Sequence, residues 1–560
     1  LTCYHYIFFL KIVQCFTCKR FILSWSLYVI YVRILMGITI TIKERHKTSF
    51  MKEPKMITLN GSSLNLDQLI QIARYHCKVE ISAENRTCIQ KASAFVEQAV
   101  NQKKPVYGVN TGFGHLSTVK ISKEDVSQLQ KNLLMSHATG MGEPLSIEVV
   151  RAMMALRINA LTLGHSGIRL ETLEKLVELL NLNIIPVVFE QGSLGASGDL
   201  ALLSHMALPL IGLGEVYYEG KRMDTKKALD QAGVKPILEL AAKEGLSLIN
   251  GTQAMTAIGA ICLYDAKKCL DLANVSLSLT MEALGGIIDA FDSRVHKLRK
   301  QDGQIHVAKD VLTYLKNSDY VKTQDQDKIQ DAYSIRCAPQ VHGASLDALN
   351  YIESIVEKEM NAVTDNPLIF VEDEKAISAG NFHGQPLALA FDYLAISIAE
   401  LANISERRIE RLVNPHLNEG LPPFLTQQSG LHSGFMIVQY TAASLVSENK
   451  SYAHPASVDS IPSSANKEDH VSMGTIAARK ALTILKNTQK VIALELLTSV
   501  QAIDLKEKKQ MGETTRKAYE LIRKHVPMIK KDQIMYTLMH QMEDLVKSST
   551  LHDELFKKGD

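Results

Sequence analysis

Residues 254–284 constrain the fold more than any other stretch of the chain. They are rich in Ala, Leu and other small residues, a composition suited to a helix packed on several sides. Leu394, Ile398, Leu401 and Ile404 keep a 3–4 spacing, as do Leu482 and Leu485, then Ile492 and Leu496. Long helices with so few polar faces must be buried by neighbours, as in a bundle shared with other subunits. The glycine- and proline-bearing stretches 414–423 and 454–464 are the loops between them. The expected fold is mainly α: a long-helix bundle with C-terminal helices over 254–560, preceded by a smaller mixed region over 56–253.

In that mixed region, 56–130 combines short helical stretches with turn signals. Ser146 can cap a helix running to Leu163, with Gly164 as its stop. Residues 214–221 have the pattern of a small hairpin. The 107–114 loop is punctuated by glycine but lacks the Gly-Lys-Ser/Thr ending of a phosphate-binding loop.

Charge narrows the partners. The net charge is +2, but residues 1–55 carry nine Lys/Arg against two Asp/Glu, or +7, which leaves −5 on the remainder. The main body therefore gives no electrostatic case for nucleic acid. Five cysteines (Cys77, Cys88, Cys262, Cys269 and Cys337) are scattered through it without metal-ligand spacing. Their odd number argues against a disulfide framework and for a reducing compartment.

Residues 1–55 are unlike the rest. Stretch 21–42 is mostly apolar, though Arg33 interrupts it, and a mid-segment arginine is costly in a bilayer. Cys15 and Cys18 form a CxxC with no second pair, taken as incidental. The segment is read as an extension outside the functional protein, in preference to a membrane anchor, with Met56 as the natural start.

The chemistry centres on Gly192-Ser193-Leu194-Gly195-Ala196-Ser197-Gly198-Asp199-Leu200. It holds no lysine, histidine or cysteine, so it suits backbone chemistry. A tight turn can bring the Gly198 nitrogen onto the Ala196 carbonyl carbon and close a five-membered ring. Loss of two waters, one taking the Ser197 hydroxyl, leaves an exocyclic methylene conjugated to a carbonyl. Glycine reaches the strained geometry cheaply because it lacks Cβ. Ala-Ser-Gly alone is a common loop tripeptide; the nine-residue run is far rarer.

That run resembles the signature of the ammonia-lyases that carry a 4-methylidene-imidazol-5-one (MIO) group. Six further segments match the family: 107–114, 132–138, 249–253, 330–337, 380–386, and a long run from Ser447 to Val471. Within it they resemble the histidine ammonia-lyases most closely, and the match covers essentially everything after Met56. The resemblance implies an MIO formed from Ala196, Ser197 and Gly198, with neither pyridoxal phosphate nor a metal required. It implies a cytoplasmic homotetramer whose active sites draw residues from three subunits, without membrane association.

The resemblance also assigns roles. Tyr107 is the family's base for the β-proton, assisted by Tyr333. A free tyrosine titrates near ~10, so it needs helix N-termini or nearby positive charge to act near neutrality. Arg336 suits the substrate carboxylate, which a guanidinium fork binds bidentately. The spacing of Gln330, Tyr333 and Arg336 puts them on one helical face or an adjoining turn. Asn250 and Gln330 would hold the substrate's polar groups or the prosthetic carbonyl, Phe382 packs near the tripeptide, and Asp199 assists ring closure. His137 and Glu468 carry the substrate assignment. A carboxylate can accept a hydrogen bond from imidazole or pair with imidazolium, whereas a benzene ring leaves it buried and unpaired, at a cost of several kcal/mol. L-Histidine, converted to trans-urocanate and ammonia, is thus favoured over tyrosine or phenylalanine, as lyase or aminomutase substrates. A catalytically silent homologue is the rival from another class. Leu202, Phe189 and Ala379 depart from the family pattern near the site.

Overall fold

The computed structural model describes residues 56–101, 111, 121–122, 125–326 and 328–556. Tyr107, the CxxC and the 21–42 stretch lie outside the described residues. Met56–Asp560 forms one compact unit. Its main hydrophobic core runs from Ile57 to Leu551 and includes both Ile249 and Ala254, so it is unbroken where the mixed region gives way to the bundle.

The bundle is mainly α, as the periodicity requires. Helix Gln253–Leu284 is buried almost throughout. Its half-buried charges are held by neighbours: Asp265 accepts from Arg74 at 2.9 Å, Lys267 donates to Glu353 at 2.6 Å, and Lys268 donates to Asp553 at 2.8 Å. It packs against helices Ala338–Met360, Gln385–Val413 and Gly474–Asp504. Helix Met436–Tyr452 lies on the latter two. Leu394, Ile398, Leu401, Ile404, Leu485, Ile492 and Leu496 are all buried. At Gly259 the Phe391 ring occupies the place of a Cβ, so glycine sets this helix–helix approach. Helix Gln385–Val413 is long and apolar enough to cross a bilayer, yet 67% of its most hydropathic window is buried inside the protein.

A polar network ties four of these helices. Glu495 and Arg408 pair at 2.8 Å with both side chains fully buried. Glu495 also accepts from Thr280 at 2.8 Å and Ser405 at 2.6 Å. Arg408 reaches His342 Nε2 at 3.3 Å, and His342 Nδ1 lies 2.7 Å from Asn274 Oδ1. Burial, and then the Arg408 cation, hold the His342 imidazole well below its ordinary pKa.

In the mixed region, helix Ile147–Thr162 is capped by Ser146, which accepts from the Val149 amide, and Gly164 follows at φ +74°. Strands Glu215–Tyr218 and Lys221–Asp224 form the expected hairpin. Helix Ala83–Asn101 is longer than the short stretches expected there, because only Ile89, Ala92, Val96 and Ala99 need burial and its polar face masks the period. Strand Phe189–Gln191, paired antiparallel with Met141–Pro144, feeds the tripeptide loop, and helix Leu200–Ala207 leaves it.

Candidate active site

The loop is anchored on both sides of its tripeptide. Gly198 bridges to Gly251 in parallel register, and the Asp199 amide donates to the Gly251 carbonyl at 2.7 Å. Gly198 sits at φ +74°, where a Cβ would overlap the Gly251 carbonyl, so no other residue fits here. Gly195 accepts from the Ser472 hydroxyl at 3.2 Å and the Ser472 amide at 3.3 Å. Ser193 Oγ lies 2.8 Å from Asp199 Oδ1 and closes the loop's base.

Asp199 is fully buried. Its Oδ2 accepts from the amide of Met255, third residue of helix Gln253–Leu284, at 2.8 Å. The first amides of a helix lack internal partners, so a distant carboxylate caps the longest helix among the described residues. Thr252, at the N-cap position, makes no side-chain capping bond; its hydroxyl donates to Glu359 at 2.5 Å. Asp199 Oδ1 accepts from the Thr475 hydroxyl, in the first turn of helix Gly474–Asp504. Burial raises the Asp199 pKa, and the donors from Thr475, Met255, Ser193 and Ala254 oppose that rise. Glu359 is raised by burial and by the Asp199 charge, against its bond from Thr252.

Helix Gln385–Val413 starts beside the same place. A Cβ on Gly384 would stand 2.6 Å from Met255 Sδ and 3.1 Å from Ser472 Oγ. Four helices, beginning at Leu200, Gln253, Gln385 and Gly474, therefore start around the loop. Each N-terminus carries roughly half a positive charge, a field that favours anions at the site.

Several sequence-predicted residues come together here. Ser197 Oγ donates to Glu468 Oε1 at 3.4 Å, joining the tripeptide to a residue 271 positions away. Glu468 is half-buried, held by a backbone bridge to Ser463 and by the Ser463 hydroxyl at 3.2 Å. His137 ends helix Val126–His137, with Nδ1 3.0 Å from Ser136 Oγ. Burial lowers its pKa, while the Leu133 carbonyl and the Glu468 charge act the other way. Asn250 adjoins the Gly198–Gly251 bridge; its Nδ2 donates to the Asn366 carbonyl at 3.0 Å. Its Oδ1 is buried without a hydrogen-bond partner among the described residues. Phe382 is half-buried in the turn before Gly384.

Tyr333, Arg336 and Gln330 are placed differently. Tyr333–Arg336 is a single helical turn, and Gln330 precedes it on the connecting segment, so the three share an adjoining turn and not one helical face. The Arg336 guanidinium lies 4.6 Å from the Tyr333 ring centre, and its Nε donates to the Asp331 carbonyl at 2.9 Å. Tyr333 is 70% exposed. Among the described residues, no hydrogen bond joins these three to the 192–199 loop.

The departures from the family pattern are accommodated. Leu202 is fully buried within helix Leu200–Ala207. Phe189 meets the His205 ring edge-on at 5.2 Å. Ala379 is absent from the positive-φ residues, so its Cβ causes no strain, and its amide donates to Asn366 Oδ1 at 2.7 Å.

Residues that the sequence did not single out build the surroundings. Ser472 and Thr475 carry only a hydroxyl-at-a-helix-start signal, just past the last matched segment. Lys243 and Asp365 form a buried pair at 2.6 Å next to Asn366 and carry no motif at all.

The residues present fit an MIO group. Gly198 is forced into a left-handed turn, its amide nitrogen donates no hydrogen bond among the described residues, and Asn250, next to the bridged Gly251, has a buried, unpartnered Oδ1.

Comparison with known proteins agrees with this geometry. The family model described as aromatic amino acid lyase matches residues 64–524. The chain is 53% identical to the histidine ammonia-lyase of Alkaliphilus oremlandii over 503 residues, 90% of this chain and 99% of that protein. The crystal structure of histidine ammonia-lyase from Trypanosoma cruzi superposes with a TM-score of 0.83 at 43% identity, covering 90% of this chain and 95% of that one. Tyrosine aminomutase from Streptomyces globisporus superposes at 0.87 with 34% identity, covering 90% and 99%. With its loop, its converging helix ends and these relatives, the chain belongs to the aromatic amino acid lyase family.

Proposed function

We infer that this chain deaminates L-histidine non-oxidatively to trans-urocanate and ammonia. The observation that carries this reading is the 3.4 Å contact between Ser197 Oγ and Glu468 Oε1. It sets a carboxylate suited to an imidazole against the residue that would supply the electrophilic carbon. The 53% identity to a protein named histidine ammonia-lyase supports it.

An MIO formed from Ala196, Ser197 and Gly198 supplies an electrophile that makes the substrate amine a better leaving group. The chain's own residues do the rest. Glu468 and His137 receive the imidazole; Arg336 binds the carboxylate as a fork. Asn250, through its unpartnered Oδ1, and Gln330 hold the polar groups around it. Tyr107 takes the β-proton, Tyr333 assists, and Phe382 packs beside the tripeptide. The four helix N-termini around the loop supply a positive field that favours anionic groups there. Asp199 holds the loop to two of those helices.

Gln330 and Tyr333 are exposed on the single chain. That exposure fits a homotetramer in which a neighbouring subunit brings Gln330, Tyr333 and Arg336 to the loop. We place the enzyme in the cytoplasm, with the electrophile in 56–253, the bundle in 254–560, and residues 1–55 outside the working enzyme. Neither a metal nor pyridoxal phosphate enters the scheme.

Steady-state assays on L-histidine, L-tyrosine and L-phenylalanine test the assignment. Urocanate formation from histidine is expected to dominate; preference for tyrosine or phenylalanine, or β-amino acid products, would sink it.

A further inference from the structure

We propose that Thr475 is a positioning residue for the ring closure of Ala196-Ser197-Gly198, acting through Ser193 and Asp199. This rests on the MIO reading above. Closure is the hard step for this loop. The Gly198 nitrogen must bond to the Ala196 carbonyl carbon, although an amide nitrogen is a weak nucleophile and an amide carbonyl a weak electrophile. The carbonyl oxygen leaves as water with the amide protons of Ser197 and Gly198. The Ser197 hydroxyl then leaves as a second water with the Ser197 α-proton, and the methylene remains. Neither step needs a redox partner, so what the fold must supply is a compressed turn held in place.

The loop's two ends meet at one hydroxyl. Thr475 Oγ1 donates to Asp199 Oδ1, just after the tripeptide, and lies 2.9 Å from Ser193 Oγ, just before it. Ser193 Oγ in turn lies 2.8 Å from Asp199 Oδ1 and 3.4 Å from the Gly198 carbonyl, and accepts from the Gly195 amide at 3.3 Å. All three side chains are buried, so water does not substitute for a lost partner. Thr475 is itself fixed by helix Gly474–Asp504, and the adjoining Ser472 holds Gly195. A hydroxyl on a rigid helix thus ties residues 193 and 199 together beside their direct bond, and helps to fix how far the tripeptide between them is bent.

The test is mass spectrometry of the full chain made by cell-free synthesis and sampled over time. The wild-type chain is expected to become lighter by two waters. Thr475→Val, which keeps the shape and removes the hydroxyl, is expected to do so at least about tenfold more slowly, a difference of ~1.4 kcal/mol in barrier. Thr475→Ser is expected to restore the wild-type rate, and Ser193→Ala to slow closure as Thr475→Val does. Circular dichroism checks folding; if Thr475→Val does not fold, Ser193→Ala and Thr475→Ser decide the matter on the same readout. A folded Thr475→Val that loses both waters at the wild-type rate overturns the proposal, as does a Thr475→Ser as slow as Thr475→Val. A wild-type chain that never becomes lighter instead overturns the MIO reading, and this proposal with it.

Discussion

Under the proposed function, Glu468 sets what the site accepts, since its carboxylate accepts from the Ser197 hydroxyl and its charge acts on His137. Glu468→Gln keeps the shape and removes the charge. A hydrogen bond to a charged group contributes about 1.5–3 kcal/mol, so kcat/KM for histidine is expected to fall by roughly ten- to a hundredfold. Phenylalanine turnover, assayed alongside, is expected to fall less or to rise. At this scale the sequence was legible wherever a residue's chemistry is unusual for its surroundings: an Ala-Ser-Gly set in glycines, a histidine after a serine, a glutamate in a lysine-bearing loop. Thr475, Ser193 and Asn366 were not legible, because a hydroxyl or amide that positions a loop has the same composition as one that faces solvent. Only the fold, which brings residue 475 to residue 199, separates the two.

Periodicity spoke clearly at the level of elements for the helices with broad apolar faces. It was weaker for Ala83–Asn101, which buries a narrow stripe, and for the single turn Tyr333–Arg336, which is shorter than one period. It was silent on the polar network inside the bundle, since Arg408, Glu495 and His342 have the composition of surface residues. That network gives the fold a pH response of known sign. Folded, His342 is held neutral by burial and by Arg408, whereas an unfolded imidazole titrates near 6.5. Below that pH the unfolded chain binds a proton that the folded chain refuses, so stability falls as pH drops through that value, and above it this penalty is absent. His342→Gln removes the group. Its melting temperature relative to wild type is expected to improve from pH 7.5 to 5.5; a constant difference would count against the account.

For the whole molecule, the exposure of Tyr333 and Gln330 on a single chain leads to a complementation prediction. A Ser197→Ala chain and a Tyr333→Phe chain are each expected to be severely impaired. If the proposed shared sites hold, oligomers refolded from a mixture of both should recover urocanate formation, because some sites then combine an intact loop with an intact Tyr333. Failure of every mixture to exceed its parents would argue for sites built within one chain. Expression of 56–560 alone is expected to give turnover equal to that of the full chain, measured as urocanate per enzyme; a large loss would move the boundary of the working enzyme upstream. The capping of helix Gln253–Leu284 by Asp199 reaches beyond catalysis, into protein design. Transplanting the nine-residue run into another scaffold would carry the reacting atoms without the frame that bends them. A portable version would need three chain segments moved as a rigid set, the run itself with Gly251 to Met255 and Ser472 to Thr475, and a host able to start two helices at one carboxylate.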